Sequence, residues 1–138
     1  MTLSEAPFSI NNKEKKKIKK ISNIIKDEFK LKSGLLHIQY LFNGKNYFFI
    51  EACRRCPGDF YGDLIRKVFK YNYYKNYANS FLGKKIEKLD KKRINKFYRK
   101  TIFNEKEIIN LKKKKNFNFF KSYRNYKKNQ KIGVVIHN

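Results

Sequence analysis

Gln39 and Glu51 sit at alternating positions of two apolar runs separated by Asn43-Gly44, and Arg54-Arg55 follow directly on the second run. An amide oxygen and a carboxylate are hard ligands suited to magnesium, and two guanidinium groups beside them suit the remaining charge of a phosphate or carboxylate. The spacing also fits a plainer arrangement, a surface glutamine and a glutamate paired with a neighbouring arginine. Cys53 and Cys56 form one CxxC, which is half of a four-ligand zinc site or a redox pair, and only His37 and His137 are present to complete a metal site. A helix N-terminus lowers a thiol pKa, but here Pro57-Gly58 separates the cysteines from the following helix and no βαβ pattern surrounds them.

These residues need a hairpin to bring them together. Leu35 to Phe42 and Lys45 to Ala52 read as two strands around a tight turn. For the odd-numbered His37, Gln39 and Leu41 to share a face with Tyr47, Phe49 and Glu51, the connection must contain an odd number of residues, as in a three-residue loop with Gly44 left-handed. The even positions Leu36, Ile38, Tyr40, Phe48 and Ile50 then form the core face.

Residues 1 to 10 lack periodicity and read as an extended lead-in, with 11 to 138 as the folded part. Asn11 and Glu14 have capping-box spacing, and Ile18, Ile21, Ile24, Ile25 and Phe29 make an apolar stripe through about residue 30. A basic amphipathic helix of this kind can lie on a membrane, but docking the stripe on a sheet is the commoner use. Further helices are expected from Asp59 to Phe69 and from Tyr73 to Leu82, the second capped by Asn72 and closed by Gly83. A charged connector covers 84 to 93. Strands are expected near Phe97 to Phe103, Glu107 to Leu111 and Lys131 to Ile136. The pattern is α+β with a largely antiparallel sheet.

At 138 residues the chain has room for one domain, not two catalytic ones, and 41% hydrophobic residues exclude wholesale disorder. The net charge of +24 attracts anions, yet Lys, Asn, Ile, Phe and Tyr make up roughly 60% of the chain. All five have A- and T-rich codons, so base composition accounts for lysines that no anionic partner requires. Only six cations are Arg, the residue favoured where phosphates or bases are read. A small nucleic-acid-binding protein is the alternative reading, carried by Lys112 to Lys128, where cations alternate with rings that could stack on bases. The start of the chain has no basic segment or apolar run, which leads us to expect a cytoplasmic protein with reduced thiols and no membrane contact.

The ordered motifs resemble the C-terminal half of the ATP-grasp superfamily, in its carbamoyl-phosphate-synthetase-like and biotin-carboxylase-like branches. Gly34-Leu35-Leu36-His37-Ile38-Gln39 looks like the first metal strand of that family. Tyr47 to Arg55 looks like the second, which typically reads Glu-x-Asn-x-Arg, and Arg55-Cys56-Pro57-Gly58-Asp59 resembles the Arg-x-x-Gly-Asp run. The likeness covers about residues 7 to 138, carried by motifs up to Gly83 and by the order of elements beyond it.

The resemblance implies a ligase that binds ATP and Mg2+ and converts a small-molecule carboxylate to an acyl phosphate before passing it to an amine. It implies Gln39 and Glu51 as magnesium ligands, Leu41 and Ile50 near the adenine, Arg55 as the catalytic arginine on the transferred phosphate, and Arg54 beside the nucleotide. Asp59 either joins the site or caps a helix. Cys53 stands where the family usually has Asn, and a thiol is a poor magnesium ligand. The phosphate-gripping lysines and the adenine hinge of such enzymes precede the part matched here. The chain is therefore expected to be incomplete and not catalytic alone, to need a separate N-terminal half, or to self-associate through uncovered apolar surface.

Overall fold

The computed structural model describes residues 3–7, 9–89, 95–121 and 130–138. In chain order the elements are β1 (Leu3–Ala6), α1 (Asn12–Glu28), β2 (His37–Phe42), β3 (Tyr47–Cys53), α2 (Tyr61–Phe69), α3 (Tyr73–Phe81), β4 (Phe97–Ile102), α4 (Glu105–Leu111), β5 (Asn118–Lys121) and β6 (Gly133–His137). The class is α+β with antiparallel sheets, as the residue patterns indicate. The chain divides into two compact units, Met1–Phe8 with Pro57–Tyr73 and Lys88–Asn138, and Ser9–Cys56 with Tyr74–Glu87. Among the described residues no helix is long and apolar enough to cross a membrane.

The first unit is built on a four-stranded sheet in the order β1-β4-β6-β5. Every residue of β6 is buried, which explains why Gly133-Val134-Val135-Ile136 reads as a continuous apolar run instead of alternating. Val134 and Ile136 pack with Leu64 and Val68 of α2 and Phe97 of β4, while Val135 packs with Ile102 and Ile132. Full burial of one such aliphatic side chain contributes about 1.5–3 kcal/mol. Gly133 has no room for a side chain, since a Cβ there would lie 2.4 Å from the Phe120 carbonyl oxygen.

Two sequence expectations change in this unit. Leu3–Ala6, expected as unpaired lead-in, pairs with β4 as the edge strand, Leu3 opposite Lys100 and Ala6 opposite Phe97. The expected strand from Glu107 to Leu111 is instead part of α4. Asn104 caps it by accepting the Lys106 N–H at 2.9 Å, and Glu105 and Glu107 lie in its first turn, where the helix dipole favours acids.

The second unit holds the β2–β3 hairpin, α1 and most of α3. Asn11 and Glu14 form the expected capping box at the start of α1. Ile18, Ile21 and Ile25 are half-buried, whereas Ile24 and Phe29 remain exposed, so the buried stripe is narrower than the periodicity implied. Gly83, left-handed at φ 65°, follows the end of α3, and the Lys84 N–H reaches back to the Asn79 carbonyl. Residues 90–94, which include the end of the charged connector, and 122–129, which include the end of the Lys-rich segment, lie outside the described residues.

Candidate functional site

The hairpin sets Gln39 directly opposite Glu51, but not by the connection that the alternation demanded. Phe42 pairs with Tyr47 across a four-residue connection, in which the Asn43 side-chain oxygen accepts the Lys45 and Asn46 N–H groups. An even connection opposes odd to even positions, and near the turn Tyr40 indeed faces Phe49 and Leu41 faces Phe48. The register then shifts by one residue between Gln39 and Tyr40. Ile50 is the extra residue of this β-bulge, and beyond it Gln39 meets Glu51, Ile38 meets Ala52 and His37 meets Cys53. The bulge therefore does what the odd-numbered loop was expected to do.

One face consequently carries His37, Gln39, Leu41, Phe48, Glu51 and Cys53, and the other Ile38, Tyr40, Phe42, Tyr47, Phe49 and Ala52. This corrects the expected core face: Phe48 belongs with Gln39, Ile50 leaves the alternation, and Tyr47 and Phe49 join Tyr40. The rings of the second face confirm the register. Tyr40 meets Tyr47 and Phe49 edge-on at 6.3 and 6.2 Å, and Phe42 stacks on Tyr47 at 4.5 Å. Burial and the neighbouring Glu14 carboxylate hold the Tyr47 phenol above its ordinary pKa.

Leu41 and Ile50 are 59% and 53% exposed, so both are accessible. They flank the Gln39–Glu51 pair in sequence, but only Leu41 shares its regular face. Arg54 points back into its own unit. Its Nη2 donates to the Ser33 carbonyl at 2.9 Å, and it lines a cleft of about 480 Å³ with Ser22, Lys26, Leu31 and Leu36. Gly34, at φ 143°, makes this possible, because a Cβ there would stand 1.9 Å from Nη2. Arg55 is exposed and donates only to the adjacent Cys56 carbonyl, at 3.3 Å, among the contacts described for it.

Asp59 does not cap α2. The N-cap is Phe60, left-handed like Asp59 itself and without a side-chain cap bond. Asp59 instead forms ion pairs with Arg99 and Lys131, and Arg99 Nε also donates to its carbonyl at 2.7 Å. Arg99 is 1% exposed and lies over the Tyr61 ring at 4.5 Å. Burial pulls its guanidinium below the ordinary arginine pKa. Nothing in the sequence singled out Arg99, although β4 alternates Phe97, Arg99 and Thr101 inward.

The register also unites residues that the sequence left apart. Glu51, His37 and Cys53 bring a carboxylate oxygen, an imidazole nitrogen and a thiol sulfur within 4.8 Å of one another. Cys53 Sγ lies 3.5 Å from His37 Nδ1. The signal was available: any pairing that opposes 39 to 51 opposes 37 to 53. The CxxC is not itself the cluster, since Cys56 is outside this group and the cysteines form no disulfide. His137 is buried in β6 with its ring stacked on Tyr98 at 5.6 Å. Of the rings invoked for nucleic-acid stacking, Phe117, Phe119 and Phe120 pack on the two core clusters, while Tyr123 and Tyr126 lie outside the described residues.

No protein-family model matches the chain, and no curated protein does. Solved structures do. The ADP complex of an N5-carboxyaminoimidazole ribonucleotide synthetase superposes on 98% of this chain with a TM-score of 0.73 and 14% identity. Phosphoribosylglycinamide synthetase from Anaerococcus prevotii covers 98% with a TM-score of 0.68 and 13% identity. The phosphoribosylaminoimidazole carboxylase ATPase subunit from Aquifex aeolicus covers 98% with a TM-score of 0.68 and 11% identity. The match takes in 36%, 39% and 42% of those chains respectively, so this chain spans about two fifths of their length. All three are ATP-grasp enzymes. With its helices and antiparallel sheets in this arrangement, the chain has the ATP-grasp fold, in the α+β form of that fold's C-terminal subdomain.

Proposed function

We propose that the chain is the ATP- and magnesium-binding portion of an ATP-grasp ligase of the carboxylate-amine type, working through an acyl phosphate in the cytoplasm. The observation that carries this reading is the direct opposition of Gln39 and Glu51 on an exposed hairpin face in a chain of this fold. Two hard oxygen donors on paired strands fit a magnesium ion that keeps several waters and takes its remaining ligands from phosphates. Bound there, the ion would neutralise phosphate charge.

The chain's own residues have distinct tasks. Gln39 and Glu51 fix the ion's place relative to the strand ladder. Leu41, with Phe48 opposite it, offers an apolar shelf beside that pair for the adenine, and Ile50 extends the accessible apolar surface along β3. Arg55, exposed beyond the end of β3, carries a guanidinium able to receive the transferred phosphate or the substrate carboxylate. Arg54, already committed to Ser33, acts by fixing the loop before β2 instead of touching the nucleotide.

Calorimetric titration with a nonhydrolysable ATP analogue, with and without magnesium, tests the reading. The expected result is binding that requires magnesium, falls at least tenfold in Glu51→Ala and Gln39→Ala, and is weakened in Arg55→Ala. Binding independent of magnesium and untouched by Glu51→Ala in the folded protein would defeat it. Nucleic-acid binding that needs no magnesium and falls steeply with salt would favour the alternative instead.

A further inference from the structure

We propose that His37, Glu51 and Cys53 form a site for a borderline divalent transition-metal ion, of which zinc is the representative, distinct in ligand chemistry from the magnesium position at Gln39 and Glu51. The inference does not require nucleotide binding. It rests on three ligand types converging from two paired strands, with all their donor atoms within 4.8 Å.

The spacing suits one shared ion. Zinc binds thiolate sulfur at about 2.3 Å, imidazole nitrogen at about 2.0–2.1 Å and carboxylate oxygen at about 2.0–2.2 Å. Donors on one tetrahedral ion therefore stand about 3.3–3.8 Å apart. Cys53 Sγ and His37 Nδ1 already lie at 3.5 Å, and the rest of the cluster needs only side-chain rotation on an exposed glutamate. The backbone is fixed by the ladder, with His37 opposite Cys53 and Glu51 two residues before Cys53 on the same face.

Ligand chemistry decides the kind of ion. Magnesium demands hard oxygens and gains nothing from sulfur, whereas a thiolate with an imidazole selects zinc and its neighbours in the transition series. Three protein ligands leave a fourth tetrahedral position, and the exposure of Glu51 leaves it open to water or an oxyanion. Such three-ligand sites differ from closed structural ones, in which four protein ligands fill the tetrahedron. Binding displaces the thiol proton to solvent, so the ion competes with protons for the site.

Cobalt(II) titration of the reduced, nucleotide-free protein, in a phosphine reductant, tests the proposal. The expected result is one equivalent of cobalt bound with a thiolate-to-cobalt charge-transfer band and the strong visible absorption of a tetrahedral ion, both removed by one equivalent of zinc. The band should disappear in Cys53→Ser, and affinity should fall at least tenfold in His37→Ala and Glu51→Ala, while Cys56→Ser keeps both. Zinc should also raise the thermal midpoint of the parent protein and of Cys56→Ser but not of Cys53→Ser. Circular dichroism on each variant establishes that it is folded. No charge-transfer band at saturating cobalt, or a band that persists in Cys53→Ser, would overturn the proposal. Because nucleotide is absent throughout, these results stand apart from success or failure of the ATP titration.

Discussion

Arg99 combines near-complete burial with ion pairing to Asp59 and a hydrogen bond to the Asp59 carbonyl. Together with Lys131 it ties down Asp59, the first of two consecutive left-handed residues, Asp59 and Phe60, at the start of α2. Removing the carboxylate in Asp59→Asn should cost about 1.5–3 kcal/mol in urea unfolding. That is below the loss for an enclosed pair because Asp59 is 37% exposed. Arg99→Met combined with Asp59→Asn should recover part of the loss, since no buried charge is then left alone; strictly additive losses would refute the coupling. Tyr47 makes a second prediction. Its raised pKa means that the folded state keeps a proton which an unfolded tyrosine releases near pH 10. Stability is therefore intact below about pH 10 and falls as pH rises through that region, and Tyr47→Phe should flatten the fall in an alkaline unfolding series.

At the scale of elements, α1 was legible because its signals are local. Asn11 accepts the Glu14 N–H at 2.9 Å and Glu14 reaches back to the Asn11 N–H, so Asn11→Ala should cost about 1 kcal/mol in chemical denaturation. A variant as stable as the parent would mean that this helix end contributes nothing to folding. The end of the second unit has a comparable tie. Glu87 binds Lys75 at 2.7 Å and accepts from the buried Asn76, and these hydrogen bonds hold its carboxyl below the ordinary range. The stability it contributes is present above about pH 4.3 and is lost as pH falls through its lower folded value. Acid unfolding of Glu87→Gln should show a shallower pH dependence than the parent. The hairpin was half-legible: strand positions and the shared face of Gln39 and Glu51 followed from alternation, but the bulge did not. Ile50 looks like any other apolar strand residue, and only the cross-strand hydrogen bonds decide which residue a ladder omits.

Across the whole molecule, 35 basic residues face 11 acidic ones. The described ion pairs leave most lysines without an acidic partner to offset them, so self-repulsion opposes folding. Raising salt from about 0.01 to 0.15 M shortens the screening length from about 30 to 8 Å and should raise the thermal midpoint. A midpoint that falls would show that the surface ion pairs outweigh the repulsion. The charge itself says little about partners, and the rings between the lysines illustrate why. Phe117, Phe119 and Phe120 serve the core, a use that cannot be told from stacking on bases by composition.

The α+β class, the capped first helix, the last strand and the shared face of Gln39 and Glu51 were determined by the sequence alone, because each depends on periodicity or capping within a few residues of itself. Tertiary structure decided the rest. It recruited Leu3–Ala6 to the sheet, placed Arg99 under Asp59, and gathered His37, Glu51 and Cys53 around one point. Each of these depends on partners 14 or more residues away or on a register shift, and such contacts are fixed by packing and ladder hydrogen bonds that leave no local mark.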